Sequence, residues 1–585
     1  MTDPIAPSAA KSPAIPTPLS ILAACATAIL ALSACDASEF EDGGPADSSS
    51  TPASDAAATD AGTGQADTTT GGSGDATTAT GDFGAWSFDW KKHSFSFDNY
   101  GNDPPVTNLT PVEVLRMFGD SVCAAPPQGD TCELTPSARN LMESTSKSMD
   151  GGHCEGMAAL SLLFAVGKLN SQDFGAATAY ELKLEGNEKL QREIAYWWAT
   201  QGLERVESGT LRLPPDAFVA KLQESFKGGG EAYSIGLYKR NQPADGHAVT
   251  PFAVADLGDG KFGVQVYENN LPNDAKQFDI SKSGNSWSYI ASTNPAEKEA
   301  LYDGDGDTNM LELTALTSRL GQHSCSVCGE VQADGKSVKG NVVKYRSVQL
   351  SGDGDLLLTD DNGNKLGFDG GAFVNKIPGA KVFNQTHELS FWDDRHDPVY
   401  RLPLGVPLKI SLDGSKLTEE STSDVYLTAP GYTFAVQDVL LSPGQKDLIE
   451  FSAGCDSVRY VTSGSETPVL ELGVTLAGAD YLFSIAVAGE ADGVDVELTI
   501  DIPNGTLAIR VAAPDGQAQF GIAVLRVGEQ GAQVFKHIGN TIGKSAVVHL
   551  AYGAWSGDGK PMGIQVDDDG DGSMDKTEQV SDDGN

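Results

Sequence analysis

The segment GGHCEGMAALSLLF, residues 151–164, places a cysteine where a thiol could react. Cys154 stands at the predicted first turn of a helix, and the apolar run after it predicts that this helix is buried. Backbone N–H groups and the positive dipole end of a helix lower the pKa of a thiol and can hold an oxyanion. The pattern therefore favours nucleophilic chemistry by Cys154, with Gly152 and Gly156 predicted to leave room for a substrate backbone.

A thiol nucleophile needs a base and a polar group that orients the base. His247 opens a predicted strand in HAVTPFAVADLGDGKFGVQVYENN, where the GDG turn predicts a hairpin. Because side chains alternate along a strand, Glu268 and Asn270 share a face and Asn269 points away. We expect Glu268, or else Asn270, to orient His247. His153 is a weaker base candidate, since neighbouring helical residues do not face each other.

The elements around these residues change along the chain. Helical patterns dominate from residue 86 to about residue 230, and strand patterns follow to residue 330. This order predicts an α+β domain over residues 86–330, with a helical half and an antiparallel sheet. Short alternating runs between Asp, Asn, Gly and Pro turns then predict an all-β sandwich region, 331–585, built as one sandwich or two.

Two blocks of the chain resemble the papain-like cysteine peptidases, specifically secreted bacterial members with GxCxGM and GHAV…vYDxNxP blocks. Here the blocks are GHCEGM (152–157) and GHAV (246–249) with YENNLP (267–272). The resemblance spans roughly residues 86–330 and implies a papain-like fold acting on peptide or protein substrates. Glu268 replaces the usual aspartate of the family. Ser148 stands where the plant enzymes have the glutamine of the oxyanion hole, so another donor supplies the hole or the hole is weak.

Other functions use the same residues. A transglutaminase-like acyl transferase has the same Cys, His and acid chemistry, although that family usually has a shorter interval between Cys and His. A catalytically inactive protein that binds surfaces in a calcium-dependent way is the alternative from a different class, with the β-region as its working part. In the simplest alternative, Cys154 is a buried structural cysteine near a buried histidine.

The C-terminal stretch DDDGDGSMDKTE, residues 567–578, matches the calcium-loop template D-x-[DN]-x-[DN]-G-x5-E. Alternate carboxylates can converge on one ion, and Gly572 permits the sharp turn. The sequence predicts a structural Ca²⁺ site with the ligands Asp567, Asp569, Asp571, Ser573, Asp575 and Glu578. A strand precedes the loop, so it resembles the isolated EF-hand-like loops of secreted bacterial proteins. A second acidic stretch, 303–314, is a weak site at best, because Thr308 and Thr314 replace the glycine and glutamate.

The N-terminus predicts export. Residues 1–34 have the shape of a signal peptide, and LSAC at residues 32–35 resembles the lipobox of bacterial lipoproteins. We therefore expect cleavage before Cys35 and lipid on that cysteine, which would anchor the protein to a bacterial membrane or cell surface. The alternative is an ordinary signal peptide, or a short anchor in which the cysteine occurs by chance. Residues 35–85, rich in Ser, Thr, Ala, Gly and Asp, predict a disordered acidic tether.

Export also sets the expected state of the other cysteines, because cysteines usually pair in an oxidising compartment. Cys123 and Cys132 flank a Pro/Gly-rich loop and predict a local disulfide. Cys325 and Cys328 predict a second disulfide. The alternative is that these two cysteines and His323 form half of a zinc site. Cys154 and Cys455 remain and could pair with each other.

The net charge limits the partners. A formal charge of −41 argues against nucleic acid and anionic membrane surfaces, because phosphate binding needs clustered Lys and Arg. Contact with a membrane is therefore expected through the N-terminal lipid only. The same excess of carboxylates suits binding of hard cations.

Overall fold

The computed structural model describes residues 86–583, apart from 228–229, 241–245, 274, 291–300, 336–337, 340–344, 387–396, 465, 467, 490–492, 513–516 and 544. The predicted signal peptide and tether, together with Cys35, lie outside the described residues. Within the described part of the chain, no helix has the length and apolar character needed to cross a bilayer.

The helices are concentrated in the first half of the described chain, and their starts carry the expected caps. Glu113 accepts a hydrogen bond from the N–H of Thr110 (3.0 Å) at the start of one helix, and Asn187 caps another by accepting from the N–H of Leu190 (3.3 Å). The α-helices are α1 (Trp90–His93), α2 (Pro111–Phe118), α3 (Pro136–Ser148), α4 (Cys154–Ala165), α5 (Glu188–Ala199), α6 (Glu204–Gly209) and α7 (Pro215–Ser225). Short 3₁₀ segments are Gly119–Val122, Met149–Gly151, Ser171–Phe174, Ala179–Glu181, Thr200–Gly202, Leu316–Arg319 and Tyr552–Ala554.

The first sheet follows the helices and is antiparallel throughout its described pairs. Its strands are β1 (Leu211–Leu213), β2 (Tyr233–Tyr238), β3 (Gly246–Gly258), β4 (Lys261–Tyr267), β5 (Ala275–Ser281), β6 (Ser286–Ile290), β7 (Leu301–Asp305) and β8 (Leu311–Ala315). Their order is β1-β8-β2-β3-β4-β5-β6-β7. The start of β3, which carries His247, therefore lies in the middle of the sheet.

Helix α4 connects the helical half to this sheet, because it packs against α5 on one side and β3 on the other. Gly156 makes the contact with α5 possible. A Cβ atom there would lie 2.1 Å from the carbonyl oxygen of Ile194. Gly156 is thus required for helix packing, and the predicted role of leaving space for a substrate is wrong for this residue.

The chain after Glu330 forms two further sheets. The second sheet contains β9 (Glu330–Val331), β10 (Val338–Lys339), β11 (Tyr345–Ser351), β15 (Lys381–Phe383), β16 (Val399–Pro403), β18 (Ser421–Ala429), β19 (Tyr432–Leu441), β22 (Val469–Leu476), β23 (Ala479–Gly489), β26 (Gln517–Gly528) and β27 (Gly531–Gly543). The third sheet contains β12 (Asp355–Asp360), β13 (Lys365–Asp369), β14 (Ala372–Asn375), β17 (Leu408–Asp413), β20 (Lys446–Phe451), β21 (Ser457–Thr462), β24 (Val494–Asp501), β25 (Thr506–Ala512), β28 (Val547–Leu550), β29 (Met562–Asp567) and β30 (Lys576–Val580).

These two sheets enclose one continuous apolar core that runs from Val331 to Val580. Burial alternates residue by residue along strands such as β24 and β25, as expected when one face packs inward. From β18 onward, successive hairpins alternate between the sheets: β18–β19 and β22–β23 join the second, whereas β20–β21 and β24–β25 join the third. The region is a single sandwich, and the α+β and β-sandwich classes predicted for the two parts of the chain are confirmed.

Helix α3 packs on the second sheet and ties the two parts of the chain together. The Ser137 hydroxyl donates to the carbonyl of Ala429 (3.0 Å). The Asn140 amide donates to the carbonyl of Phe434 (3.4 Å) and accepts from the Thr428 hydroxyl. Asn140 is buried, so these bonds are made away from water.

Replacing Asn140 with alanine should weaken this interface. The Phe434 carbonyl and the Thr428 hydroxyl would each lose a partner in a buried setting, which costs about 1 to 3 kcal/mol. We expect Asn140→Ala to lower the free energy of unfolding by that amount in urea titrations. Asn504→Ala, at an exposed turn where Asn504 binds Asp501, should change it by less than about 0.5 kcal/mol. Equal effects of the two variants would contradict the interface described.

Candidate functional site

Cys154 is the first residue of α4 and is wholly buried. Its thiol hydrogen-bonds with the side chain of His247 and with the main chain of Ala248. The first N–H groups of a helix have no acceptor within the helix, so those of Cys154 and its successors can bind a negative oxygen beside the sulfur. The local arrangement supplies a nucleophile and donors for an oxyanion at one point.

His247 lies near the start of β3 and connects the thiol to an acid. Its Nε2 atom is 2.6 Å from Oε1 of Glu268, and both side chains are fully buried. His247 also interacts with the Cys154 thiol. The imidazole therefore connects the thiol to the carboxylate.

Glu268 follows the end of β4 and is held by three donors. Besides His247, it accepts hydrogen bonds from the Tyr289 hydroxyl and from the main-chain N–H of Asn270 (2.9 Å). Of the two residues predicted to orient the imidazole, the structure places Glu268 against it. Asn270 contacts the Glu268 carboxylate through its main-chain N–H.

Asn269 differs from the prediction. Strand β4 ends at Tyr267, so the alternation used to point Asn269 away stops before this residue. Asn269 is fully buried, and its amide donates to the carbonyls of Ala248 (2.8 Å) and Cys154 (3.2 Å). One side chain thus ties the start of α4 to the start of β3, which fixes the thiol relative to the imidazole.

The adjacent histidine, His153, is occupied elsewhere. Its Nδ1 lies 2.6 Å from the carbonyl oxygen of Tyr100, and its Nε2 lies 2.8 Å from Oδ1 of Asn108. The ring stacks on Tyr100 at 4.1 Å between centroids, and its backbone N–H binds Asn99. Burial lowers the pKa of His153 to about 4. The residue is a structural support for the loop before Cys154.

Ser148 faces away from the thiol. Its hydroxyl accepts a hydrogen bond from the amide of Gln349 in the sandwich. It therefore belongs to the interface around α3. The oxyanion donors that the site offers are instead the first N–H groups of α4.

The charges of the three buried groups depend on one another. Burial lowers the pKa of His247, but the Glu268 carboxylate and the Cys154 sulfur outweigh it and place the pKa well above the ordinary 6.5. Burial raises the pKa of Glu268, but the bonds from His247, Tyr289 and Asn270 outweigh it and bring the pKa below 4.5. Burial raises the pKa of the Cys154 thiol, and His247 offsets only part of that rise. Glu268 thus favours a protonated imidazole, while the closed surroundings oppose a charged sulfur.

The remaining cysteines are separate from this group. The structure contains the disulfides Cys123–Cys132 and Cys325–Cys328. Since both sulfurs of the second are bonded to each other, they are not zinc ligands, and His323 instead binds the carbonyl of Arg319 (3.1 Å). Cys154 and Cys455 are not paired with each other, and the sulfur of Cys455 accepts a hydrogen bond from Arg346 (3.2 Å).

The predicted calcium loop lies between β29 and β30. Asp567, Asp569 and Asp571 bring carboxylate oxygens within 4.8 Å of one another, which suits a hard cation. The N–H groups of Gly570 (2.7 Å) and Gly572 (2.8 Å) hold the Asp567 carboxylate in place. The other predicted ligands, Ser573, Asp575 and Glu578, are outside this cluster of three carboxylates. Glu578 is exposed on β30, opposite Ile564, so a strand stands where the template has a helix.

The weaker acidic stretch, 303–314, forms ion pairs with an arginine from an earlier part of the chain. The Arg240 guanidinium binds Asp303 (3.0 Å) and lies 3.6 Å from Asp305. Asp305 also accepts hydrogen bonds from the N–H groups of Asp307 and Thr308. These two carboxylates therefore bind Arg240 and the N–H groups of their own turn.

A cavity of about 820 Å³ lies elsewhere, between α3 and the second sheet. Its lining residues include Glu143, Asp424, Asp438 and Glu471, and do not include Cys154 or His247. Burial and mutual repulsion raise the pKa values of Glu143, Asp438 and Glu471. The cavity is thus acidic and separate from the thiol.

The buried His247–Glu268 pair should make stability depend on pH. The raised pKa of His247 contributes to the free energy of unfolding. This contribution is fully present below pH 6.5 and is lost as the pH rises through the pKa of the folded state. The lowered pKa of Glu268 contributes stability that is present above 4.5 and is lost at lower pH. We therefore expect the free energy of unfolding to fall as the pH is raised well above 6.5, and to fall less in His247→Gln.

Urea titrations over this pH range measure the effect. His323→Gln is a matched control, because burial lowers the pKa of His323 and its loss removes no alkaline dependence. An alkaline decrease that is equally steep in His247→Gln and the wild type would contradict a protonated His247 in the folded protein.

Calcium should stabilise the sandwich through Asp567, Asp569 and Asp571. An extracellular loop with a dissociation constant of about 0.1 mM, in about 1 mM calcium, should raise the melting temperature by about 3 to 6 °C relative to chelator. Calorimetry should show that Asp567→Ala removes this rise and that Asp303→Ala keeps it. A rise that persists in Asp567→Ala, or is absent from the wild type, would exclude calcium from this loop.

The comparisons with known proteins add no relative. No family model matches the chain, and no curated protein or solved structure matches it. A function for this site therefore depends on its residues and their geometry.

Proposed function

We propose that this protein is a thiol peptidase that cleaves peptide or protein substrates, with Cys154 as nucleophile and His247 as base. The observation that supports it most directly is the buried chain of contacts from Glu268 through His247 to Cys154 at the start of α4. Nucleophile, base and orienting acid in hydrogen-bonded sequence are the requirement of acyl transfer by a thiol.

Each group has a defined part in the reaction. The reaction starts from the form in which His247 is neutral and Cys154 is a thiol. His247 takes the thiol proton, and the Cys154 sulfur attacks the carbonyl carbon of a peptide bond. The first N–H groups of α4 stabilise the oxyanion. His247 then gives its proton to the leaving amine as the C–N bond breaks, which leaves a thioester on Cys154. His247 then takes a proton from water, which attacks the thioester carbonyl. The C–S bond breaks, the proton returns from His247 to the Cys154 sulfur, and the carboxylate product is released.

Glu268 has an orienting and electrostatic role. Its bond to Nε2 orients the imidazole, and its charge stabilises the imidazolium that forms when His247 takes a proton. Tyr289 and the N–H of Asn270 hold the carboxylate in the ionised state. Glutamate can therefore serve where the bacterial peptidases that the chain resembles have aspartate.

The proposal extends to the fold and the place of action. A helix that begins with the nucleophile and faces a central antiparallel strand with the base supports a papain-like arrangement for the first part of the chain. The two disulfides support an oxidising, extracellular location. We propose a lipid-anchored peptidase at a bacterial surface, with calcium as a structural ion of the sandwich.

One observation favours the inactive alternative. Cys154, His247 and Glu268 are each 0% exposed, so a substrate cannot reach the thiol in this conformation. A protein that never opens this site would be a surface binding protein with an unused thiol.

Covalent labelling tests the proposed function. When the closed site opens, a peptidyl epoxide should alkylate Cys154, and His247→Ala should slow this reaction about 10²-fold or more, because the base activates the thiol. Cys154→Ala should abolish cleavage of a fluorogenic peptide library, whereas Cys455→Ser, which removes the other free thiol of the described residues, should leave it intact. Cleavage that survives in Cys154→Ala would reject the peptidase. Amide transfer to an added amine without hydrolysis would identify an acyl transferase instead.

A further inference from the structure

A segment of the sandwich enters the region beside Cys154. We call residues 381–386 the strap. It starts as β15, which pairs with β16 in the second sheet through Val382 and Tyr400. It then crosses to the first sheet, where Thr386 forms an isolated parallel bridge with Gly246. The strap is thus anchored in the sandwich at one end and reaches the strand of the proposed base at the other.

The contact with Gly246 is close and adjacent to the base. A Cβ atom at Gly246 would lie 2.7 Å from the carbonyl oxygen of Gln385, so only glycine permits this approach. Gly246 directly precedes His247. The main chain of the strap therefore contacts the residue that precedes His247.

Thr386 also binds the opposite wall, in the helical half. Its hydroxyl donates to Oε2 of Glu155 (2.8 Å), the residue that follows the nucleophile. Its N–H donates to Oε1 of Gln201 (2.7 Å), and its carbonyl accepts from Nε2 of the same amide (3.2 Å). Both main-chain polar groups of one residue are held by one side chain, as in recognition of an extended peptide.

The strap fills the space between these walls. Thr386 is 5% exposed, and the cavity that remains between Glu155, Gln201 and β2 is about 30 Å³. The gap between the strap and β2 therefore has no room for a peptide. Cys154 and His247, which adjoin the residues that the strap contacts, are completely buried.

We propose that the strap is an intramolecular inhibitor, which occupies the substrate cleft as an extended peptide would and keeps the protein latent until it is displaced. This rests on the proposed peptidase function, since the cleft is defined by Cys154 and His247. Gly246 and Gln201, which bind the main chain of the strap, are then the groups that an incoming peptide would use. Activation requires movement of the strap and leaves the catalytic residues as they are.

The rate at which iodoacetamide alkylates Cys154 tests the strap, measured by mass spectrometry of the peptide that contains Cys154. Thr386→Glu places a second carboxylate against Glu155, so the strap should leave and alkylation should accelerate about tenfold or more. Thr386→Val removes only the hydroxyl and should give a smaller acceleration. Thr386→Ser keeps the hydroxyl and should react as slowly as the wild type.

Thr433→Val is the matched control. Thr433 is also buried, and its hydroxyl donates to the carbonyl of Leu427 (3.1 Å) inside the sandwich, far along the chain from the cleft. In Thr433→Val, Cys154 should be alkylated at the same rate as in the wild type. Hydrogen exchange should increase over residues 381–386 in Thr386→Glu and stay unchanged in β11, which separates strap release from general unfolding.

The outcomes separate the two proposals. Equal alkylation rates in the wild type and Thr386→Glu would overturn the strap and leave the peptidase standing. Fast alkylation of Thr386→Glu without cleavage of any library peptide would uphold the strap and reject the peptidase. Fast alkylation together with peptide cleavage above the wild-type rate is the expected result.

Discussion

The ion pair between Glu155 and Arg319 is the contact on which the site depends. Both side chains are almost wholly buried, at 4% and 1% exposure. Burying two charges is costly unless additional hydrogen bonds complete their shells. Here Ser234 donates to Glu155 (3.0 Å), Arg319 donates to Thr200 (2.8 Å), and Thr386 donates to the other oxygen of Glu155. The helical half, the first sheet and the sandwich therefore meet at one charge pair, one residue beyond Cys154.

The geometry of the thiol follows from this anchoring. Arg319 and Glu155 fix the first turn of α4 against β2, and Asn269 fixes the same turn against β3. The distance between Cys154 and His247 is thus set by groups that take no part in proton transfer. Such support from surrounding residues is what holds a catalytic pair within the small tolerance that reaction requires.

The sequence predicts which residues meet at the site better than it predicts their surroundings. Cys154, His247 and Glu268 could be grouped because their types and local context are informative. Asn269 was misplaced, because the end of a strand cannot be located to one residue from alternation. The roles of Tyr289 and Thr386 depend on contacts between elements distant in the chain, which local patterns do not encode. In the calcium loop, spacing predicts the three clustered carboxylates but does not show that a strand follows.

The same limit applies to the fold. Alternating runs predict the strands of the sandwich, and their turns predict the hairpins. Assignment of each hairpin to one sheet or the other is a long-range property, so one sandwich and two were indistinguishable. The role of Gly156 was missed for a related reason, because close contact between α4 and α5 is a property of the pair.

The alternation of hairpins between the sheets makes the length of the sandwich modular. From β18 to β29, each hairpin pairs with the last strand of the preceding hairpin in the same sheet. The two sheets therefore gain their strands alternately, two at a time. Adding or removing one pair of consecutive hairpins changes the length of both sheets equally and preserves every earlier strand pairing. A sandwich of this kind can lengthen by duplication of such a pair, moving its C-terminal loop further from the thiol without disturbing the end that holds the strap.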